Sequence, residues 1–245
     1  LAGTPHQSFN RVIPSAAYVS EAAALFTAGT LEGPRVAVVH DELIRNRVIG
    51  QAFADAYGKP DAGPLAGVFP VISVNLDADA VAEEIRAEAP DVVYYAGRPS
   101  TAAALANRLD GVTFILAERE MAAEFVDLAG ADAEGAYVLD LLPPAGDAVD
   151  ELAARYADLY DAVPGSAIYA YTVDAVNMLL DGLEAAGAAG LDGEFVLDRG
   201  ALQAYIRAYE GAGITGPLVC DGSGDCGSAE LQVYIIRDGE LVAAD

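Results

Sequence analysis

Short β-branched runs bounded by turn residues alternate with stretches of helical period through the first half of the chain. Arg35-Val36-Ala37-Val38-Val39-His40, introduced by Gly33-Pro34, reads as a strand, and residues 42–57 read as the helix that follows it. The unit then repeats. Residues 67–74 predict a second strand, and Asp77 caps a helix that runs through Glu88 and is stopped by Pro90. Residues 91–97 predict a buried strand, followed over 99–109 by a helix with proline in its first turn. A fourth strand over 111–117, a fourth helix over 119–128 and a fifth strand over 136–142 complete the series. Strict alternation of this kind predicts an α/β fold with a parallel, doubly wound sheet, because right-handed crossovers place helices on both faces.

Pro143-Pro144 ends the alternation, and the region beyond is mainly helical, over 147–159, over 166–186 and from an Asp198 cap to Tyr209. Residues 217–220 and 231–237 predict strands, and Asp238-Gly239 turns the chain into Leu241-Val242. No internal repeat or low-complexity tract is present.

Thirteen Lys plus Arg against 38 Asp plus Glu give a formal charge of −25. A field of that sign repels phosphate backbones and anionic lipid heads, which argues against nucleic acid or a membrane surface as partner. The acidity is spread along the chain, and Lys59 is the only lysine, so it reads as a surface bias and not as an acidic tail. Hydrophobic residues make up 53% of the chain, ample for real cores. No run of 18 apolar residues exists, so no membrane-spanning helix is expected. The first residue is Leu1, with neither Met nor a basic-then-apolar leader, and the expectation is a processed or trimmed N-terminus. Cys220 and Cys226 flank Asp221-Gly222-Ser223-Gly224-Asp225; their spacing around a turn favours one local disulfide and an oxidising compartment, the alternative being two free thiols.

Several motifs fail on context. Gly211-Ala212-Gly213-Ile214-Thr215-Gly216 matches a dinucleotide fingerprint in spelling only, since a helix precedes it and a strand follows; it reads as a helix C-cap and loop. The stretch from Asp221 to Asp225 mimics the start of a calcium loop, but Cys226 stands where the turn glycine belongs and Gln232 where the bidentate glutamate belongs. His6 and His40 are the only histidines, and no nucleophile elbow, phosphate loop or metal-ligand spacing occurs. No catalytic residue, metal or cofactor is therefore expected. His40-Asp41 is the one acid/base candidate, and a histidine closing a buried strand is more often packed and hydrogen-bonded.

In an open parallel sheet, ligands bind beyond the carboxyl ends of the strands. The residues falling there are His40, Asp41 and Arg45 after the first strand, Gly97 and Arg98 after the third, and Glu118 after the fourth. Carboxylates and planar guanidinium groups on one rim suit a small polar ligand bearing both an ammonium and an acidic group.

Ordered segments resemble the branched-chain amino-acid type (Leu/Ile/Val-binding-like) of ABC-transporter solute-binding protein, the type I periplasmic binding fold. They are Phe9-Asn10-Arg11-Val12-Ile13-Pro14-Ser15, residues 35–41, residues 90–97, Leu128-Ala129-Gly130 with Ala133 to Val138, Asp174-Ala175-Val176, and Gly213-Ile214-Thr215-Gly216-Pro217 running into Asp221 to Asp225. The resemblance implies two lobes that trap a ligand between them: residues 13–142 as a complete α/β lobe, 1–12 and 143–217 as part of the other, and 218–245 as C-terminal strands and turn. It implies an extracytoplasmic protein, periplasmic or a cell-surface lipoprotein, that hands an amino acid or related solute to an ABC permease; a receptor's extracellular sensing domain is the alternative. It places Glu118 on the ligand's ammonium, while Arg45 and Arg98 stand where the family commonly has tyrosines. Thr4 resembles a ligand-contacting position of the first lobe, and Tyr169 one that lines the cleft. Two lobes of ~150 residues would need about 300, so the resemblance implies that the family's first βα segment is not among these residues, the chain being either a fragment of a longer protein or a reduced module whose lobe a partner completes. Without that segment, residues 143–217 are expected to expose the face that packs on it, with poor solubility as the consequence.

Overall fold

The computed structural model describes residues 9–59, 62–142, 144–164, 168–222, 224–227 and 231–244. In chain order the elements are α1 (Ala16–Thr30), β1 (Val36–His40), α2 (Ile44–Tyr57), β2 (Leu65–Pro70), α3 (Ala78–Ala87), β3 (Val92–Ala96), α4 (Pro99–Ala106), β4 (Thr113–Leu116), α5 (Ala122–Ala129) and β5 (Tyr137–Leu141). Then come α6 (Asp147–Tyr160), α7 (Ile168–Ala186), β6 (Gly187–Ala189), β7 (Phe195–Leu197), α8 (Arg199–Arg207), β8 (Glu210–Gly213), β9 (Gly216–Val219), β10 (Leu231–Arg237) and β11 (Glu240–Ala243). The chain divides into two compact units: unit 1 holds residues 1–14 and 142–230, and unit 2 holds 15–141 and 231–245.

Unit 2 is built on a seven-stranded sheet of order β11-β10-β5-β4-β3-β1-β2. The five predicted strands are mutually parallel, whereas β10 and β11 are antiparallel. The sheet is therefore mixed, and its last two strands come from the C-terminal segment that the sequence left standing by itself. Alternate residues of each strand enter opposite cores. Val36, Val38, Tyr94, Ile115 and Leu139 face the helices α1 and α2, while Ala37, Val39, Tyr95, Leu116 and Val138 face residues of α3, α4 and α5. This is the two-faced burial that a doubly wound sheet requires. On the first face the Tyr94 ring stacks on Phe53 with centroids 3.9 Å apart, and Tyr94 Oη donates to Ser20 Oγ at 3.1 Å.

Capping residues set the helix starts. Asp77 accepts from the Ala80 N–H at 3.1 Å, as its position before an apolar-periodic stretch predicts. Helix α1 had no counterpart in the sequence pattern; Ser15 caps it, with Oγ accepting from Tyr18 N at 3.0 Å. The second strand is shorter than the pattern predicts. It ends at Pro70, the last ladder bond to β1 being that of Val71 N to His40 O at 2.9 Å, and residues 73–75 form a 3₁₀ turn.

Unit 1 has its own core of Val12, Tyr171, Met178, Ile206, Leu218 and Cys226. Cys220 and Cys226 form a disulfide. The loop they close is tied to the segment that leads into unit 2: Arg11 N donates to Gly224 O at 2.8 Å and Cys226 N to Arg11 O at 2.9 Å. The Arg11 guanidinium also makes a bidentate ion pair with Asp225, its Nη2 2.6 Å from Oδ2. Asp225 thus serves as a partner of arginine.

The sequence Gly211 to Gly216 is not the helix cap and loop expected of it. It forms a β8–β9 hairpin, with Gly213 paired to Gly216 across the turn. The physical cause is Asp174 of α7, a fully buried carboxylate that accepts from Ile214 N at 2.7 Å, Thr215 N at 2.9 Å and Thr215 Oγ1 at 2.6 Å. A β-carbon at position 213 would collide with that carboxylate, so glycine is required there. Within residues 143–217 several large apolar side chains are exposed, among them Leu159, Val163, Leu180, Leu191 and Phe195.

Candidate ligand-binding rim

Strand order 2-1-3-4-5 places a topological switch point between β1 and β3. The helix after β1 covers one face of the sheet and the helix after β3 covers the other, so the loops leaving these adjacent strands diverge. The registers keep the carboxyl ends level: His40 lies beside Ala96, Tyr95 beside Leu116, and Leu116 beside Val138. Asp41, Arg45, Gly97, Arg98 and Glu118 are therefore on one rim of unit 2.

Each does something different there. Asp41 is fully buried, its N–H donating to Ala96 O at 3.1 Å across the switch point. Its Oδ1 accepts from Leu43 N at 3.0 Å and Asn46 Nδ2 at 2.8 Å, which fixes the start of α2. Arg45, on the first turn of α2, forms an ion pair with Glu118. The hydrogen bond to Glu118, outweighing partial burial, pushes the Arg45 guanidinium up from its ordinary value. Glu118 is thus held across the rim, from the loop after β4 to the helix after β1. Arg98, which precedes Pro99 of α4, is exposed and closes no ion pair among the described residues. Its charge reaches Glu42, whose carboxyl lies below the usual range, mainly because Oε2 accepts from Ser73 N at 2.9 Å, with Arg98 adding to the effect. His40 is buried, with Nδ1 2.9 Å from the Asp41 carbonyl oxygen, the packed and hydrogen-bonded role expected of it.

Tyr169 belongs to unit 1, on α7, where its ring centroid is 6.4 Å from that of Tyr156 on α6. Thr4 lies outside the described residues.

The rim also carries groups that the sequence did not announce. Tyr95 is fully buried, and its hydroxyl lies near those of Thr101 and Ser73 without closing a hydrogen bond of good geometry; Ser73 Oγ and Asp41 Oδ2 are buried atoms that likewise close none. Burial pushes the Tyr95 phenol up from its ordinary value, the hydroxyls of Thr101 and Ser73 pull it partly back, and the Asp41 charge adds to the rise. Asp140, at the end of β5, is half-buried, two residues beyond the Leu116–Val138 pairing and level with Glu118. Desolvation pushes its carboxyl up, the Leu141 N–H bond opposes this, and the charges of Glu120 and Glu118 reinforce it against Arg119. The Arg119 guanidinium lies over the Tyr234 ring, 4.8 Å from its centroid. Among the described residues no three His, Cys, Asp or Glu side chains are grouped to hold a metal ion, and no helix is long and apolar enough to cross a membrane.

A mostly parallel sheet with a charged rim at its switch point is the form of a small-molecule binding lobe. Residues 3–229 match the profile of the periplasmic binding protein family, and the chain belongs to that family. The family is one of binding proteins and not of enzymes. Solved structures share the fold. A leucine-binding protein of Thermotoga maritima aligns with a TM-score of 0.74 at 21% identity, over 99% of this chain and 68% of that one. An ABC-transporter substrate-binding protein of Desulfitobacterium hafniense, in complex with Leu, aligns with a TM-score of 0.69 at 17% identity, over 99% of this chain and 69% of that one. A solute-binding protein of an R. palustris ABC transporter, in complex with benzoate, aligns with a TM-score of 0.66 at 14% identity, over 94% of this chain and 62% of that one. The chain thus spans about two thirds of the length of these relatives. No curated protein sequence matches it.

Proposed function

We propose that the chain acts as an extracytoplasmic solute-binding protein that captures an amino acid or a related small polar solute for delivery to an ABC permease. The observation that carries this reading is the pairing of opposite charges at the switch point: the exposed Arg98 guanidinium, without an ion pair among the described residues, on the same rim as the Glu118 carboxylate held by Arg45. A ligand carboxylate suits the fork of Arg98. A ligand ammonium suits Glu118, for which it competes with Arg45. Leucine and benzoate, the ligands of two structural relatives, share a carboxylate, in keeping with Arg98 as the anchoring group.

The test is a thermal-shift screen of the chain against amino acids, dicarboxylates and small amides. A true ligand at about a hundredfold excess over its Kd stabilises by about 2.7 kcal/mol. Glu118→Ala and Arg98→Ala each remove that shift while leaving the ligand-free melting temperature within a degree or so of the parent, as expected for surface charges. The reading fails if no compound of these classes shifts the transition, or if the shift survives both substitutions.

A further inference from the structure

Beneath the rim lies a group of oxygens outside the Arg45–Glu118 ion pair. Asp41 Oδ2, Tyr95 Oη and Ser73 Oγ are all buried and all without a hydrogen-bond partner. The Asp41 carboxylate is the decisive member. It is fully buried, and the two groups that bond its other oxygen, Leu43 N and Asn46 Nδ2, are both neutral. A buried carboxylate without a cationic partner is strongly disfavoured, and in folded proteins such groups are paired or hold an ion. Tyr95 does not resolve this by donating to it, since its hydroxyl closes no hydrogen bond. Instead both oxygens approach the same side of Gly97: a β-carbon there would stand 2.5 Å from Tyr95 Oη and 3.1 Å from Asp41 Oδ2. Ser73 is a neighbour of the same phenol.

We propose that Asp41 Oδ2, Tyr95 Oη and Ser73 Oγ form an oxygen cradle for a compact monovalent cation, supplied either as free sodium or as the ammonium end of a solute. One carboxylate balances one positive charge, and two hydroxyl oxygens are hard, neutral donors suited to such a group. A divalent or soft transition ion is a poor fit, because among the described residues no three His, Cys, Asp or Glu side chains are grouped to hold one, and the Glu42 carboxylate beside Ser73 is engaged by the Ser73 N–H. The ammonium source rests on the solute-binding reading above; the sodium source is independent of it.

Melting of the full chain at equal ionic strength in sodium chloride, methylammonium chloride and choline chloride tests the proposal, because the methyl groups of choline's quaternary nitrogen keep its charge from touching buried oxygens. The expected result is a saturable rise in Tm in sodium or methylammonium relative to choline. A response to sodium alone identifies a free-ion site, and a response to methylammonium identifies an amine-accepting one. Tyr95→Phe and Ser73→Ala each weaken the apparent ion affinity about tenfold, and Asp41→Asn abolishes the response. Equal melting in all three salts overturns the proposal, as does a response that persists in Tyr95→Phe and Asp41→Asn. Amino-acid binding that persists without any cation effect would sink the cradle and leave the solute-binding reading standing. A cation effect without solute binding would do the reverse.

Discussion

Removing the carboxylate of Asp174 is expected to loosen the β8–β9 hairpin without disturbing unit 2. Three donors converge on this side chain at 2.7, 2.9 and 2.6 Å, and it is fully buried. A hydrogen bond to a charged acceptor contributes roughly 1.5–3 kcal/mol, so three give at least about 4.5 kcal/mol. Ile214 and Thr215 are half-buried, and water recovers part of the loss, leaving about 3 kcal/mol for Asp174→Ala. Asp174→Asn is milder, at about 1–2 kcal/mol, because the Thr215 hydroxyl can reverse its role toward the amide while one backbone N–H loses its acceptor. Native-state hydrogen exchange read by mass spectrometry isolates the effect. Peptides covering residues 210–219 should exchange about a hundredfold faster in Asp174→Ala, the equivalent of about 3 kcal/mol, with peptides covering β1 and β3 unchanged. Protection of the hairpin equal to that of the parent chain would refute the reasoning, and so would faster exchange in Asp174→Asn than in Asp174→Ala.

Other outcomes follow from the same coordinates. Replacing Cys220 and Cys226 with serine should weaken unit 1 by about 2 kcal/mol, the loop-closure contribution of so short a ring, seen as a lower urea midpoint for exchange of α8 but not of β3. Gly97→Ala places a methyl 2.5 Å from Tyr95 Oη and should cost about 1–3 kcal/mol, a Tm drop of about 2–4 °C per kcal/mol; Tyr95→Phe in the same chain should restore part of it. Asp140→Asn should raise Tm at neutral pH. The Asp140 pKa is raised in the fold, so its protonated form is the favoured one: stability is fully present below the unfolded carboxyl value and is lost as pH rises through the folded one. The gain from Asp140→Asn should accordingly vanish when melting is measured below that unfolded value of about 3.9.

Strands β1, β3 and β4 were legible because each is a β-branched or aromatic run between turn residues, and β1 and β3 are buried along their whole length. The caps at Asp77 and Asp198 were legible for the same local reason. Helix α1 was not. Its alanines at 16, 17, 22, 23, 24 and 28 surround the helix instead of lining one stripe, and Leu25 remains exposed, so no period of 3.6 emerges. Gly187-Ala188-Ala189 and Glu210-Gly211-Ala212-Gly213 carry no strand propensity; they pair because their hairpins impose it, in the second case under the hold of a carboxylate forty residues away. At the rim, Asp41, Arg45, Arg98 and Glu118 were visible as loop charges following strands. Tyr95 and Asp140 were hidden because a polar group inside a strand reads as core or as solvated edge. Only the register with neighbouring strands shows that both finish at the crevice end.

The chain passes between the units three times, and β10 pairs with β5 only after the whole of residues 142–230 has intervened. During synthesis, β1 to β5 emerge and can associate early, while the outer edge of β5 has no neighbour until β10 leaves the ribosome. For that interval the nascent sheet presents the hydrogen-bonding groups of Tyr137 to Leu141 to any extended peptide nearby. Slow translation or premature termination after unit 1 would prolong that exposure, and a chaperone that shields strand edges would shorten it.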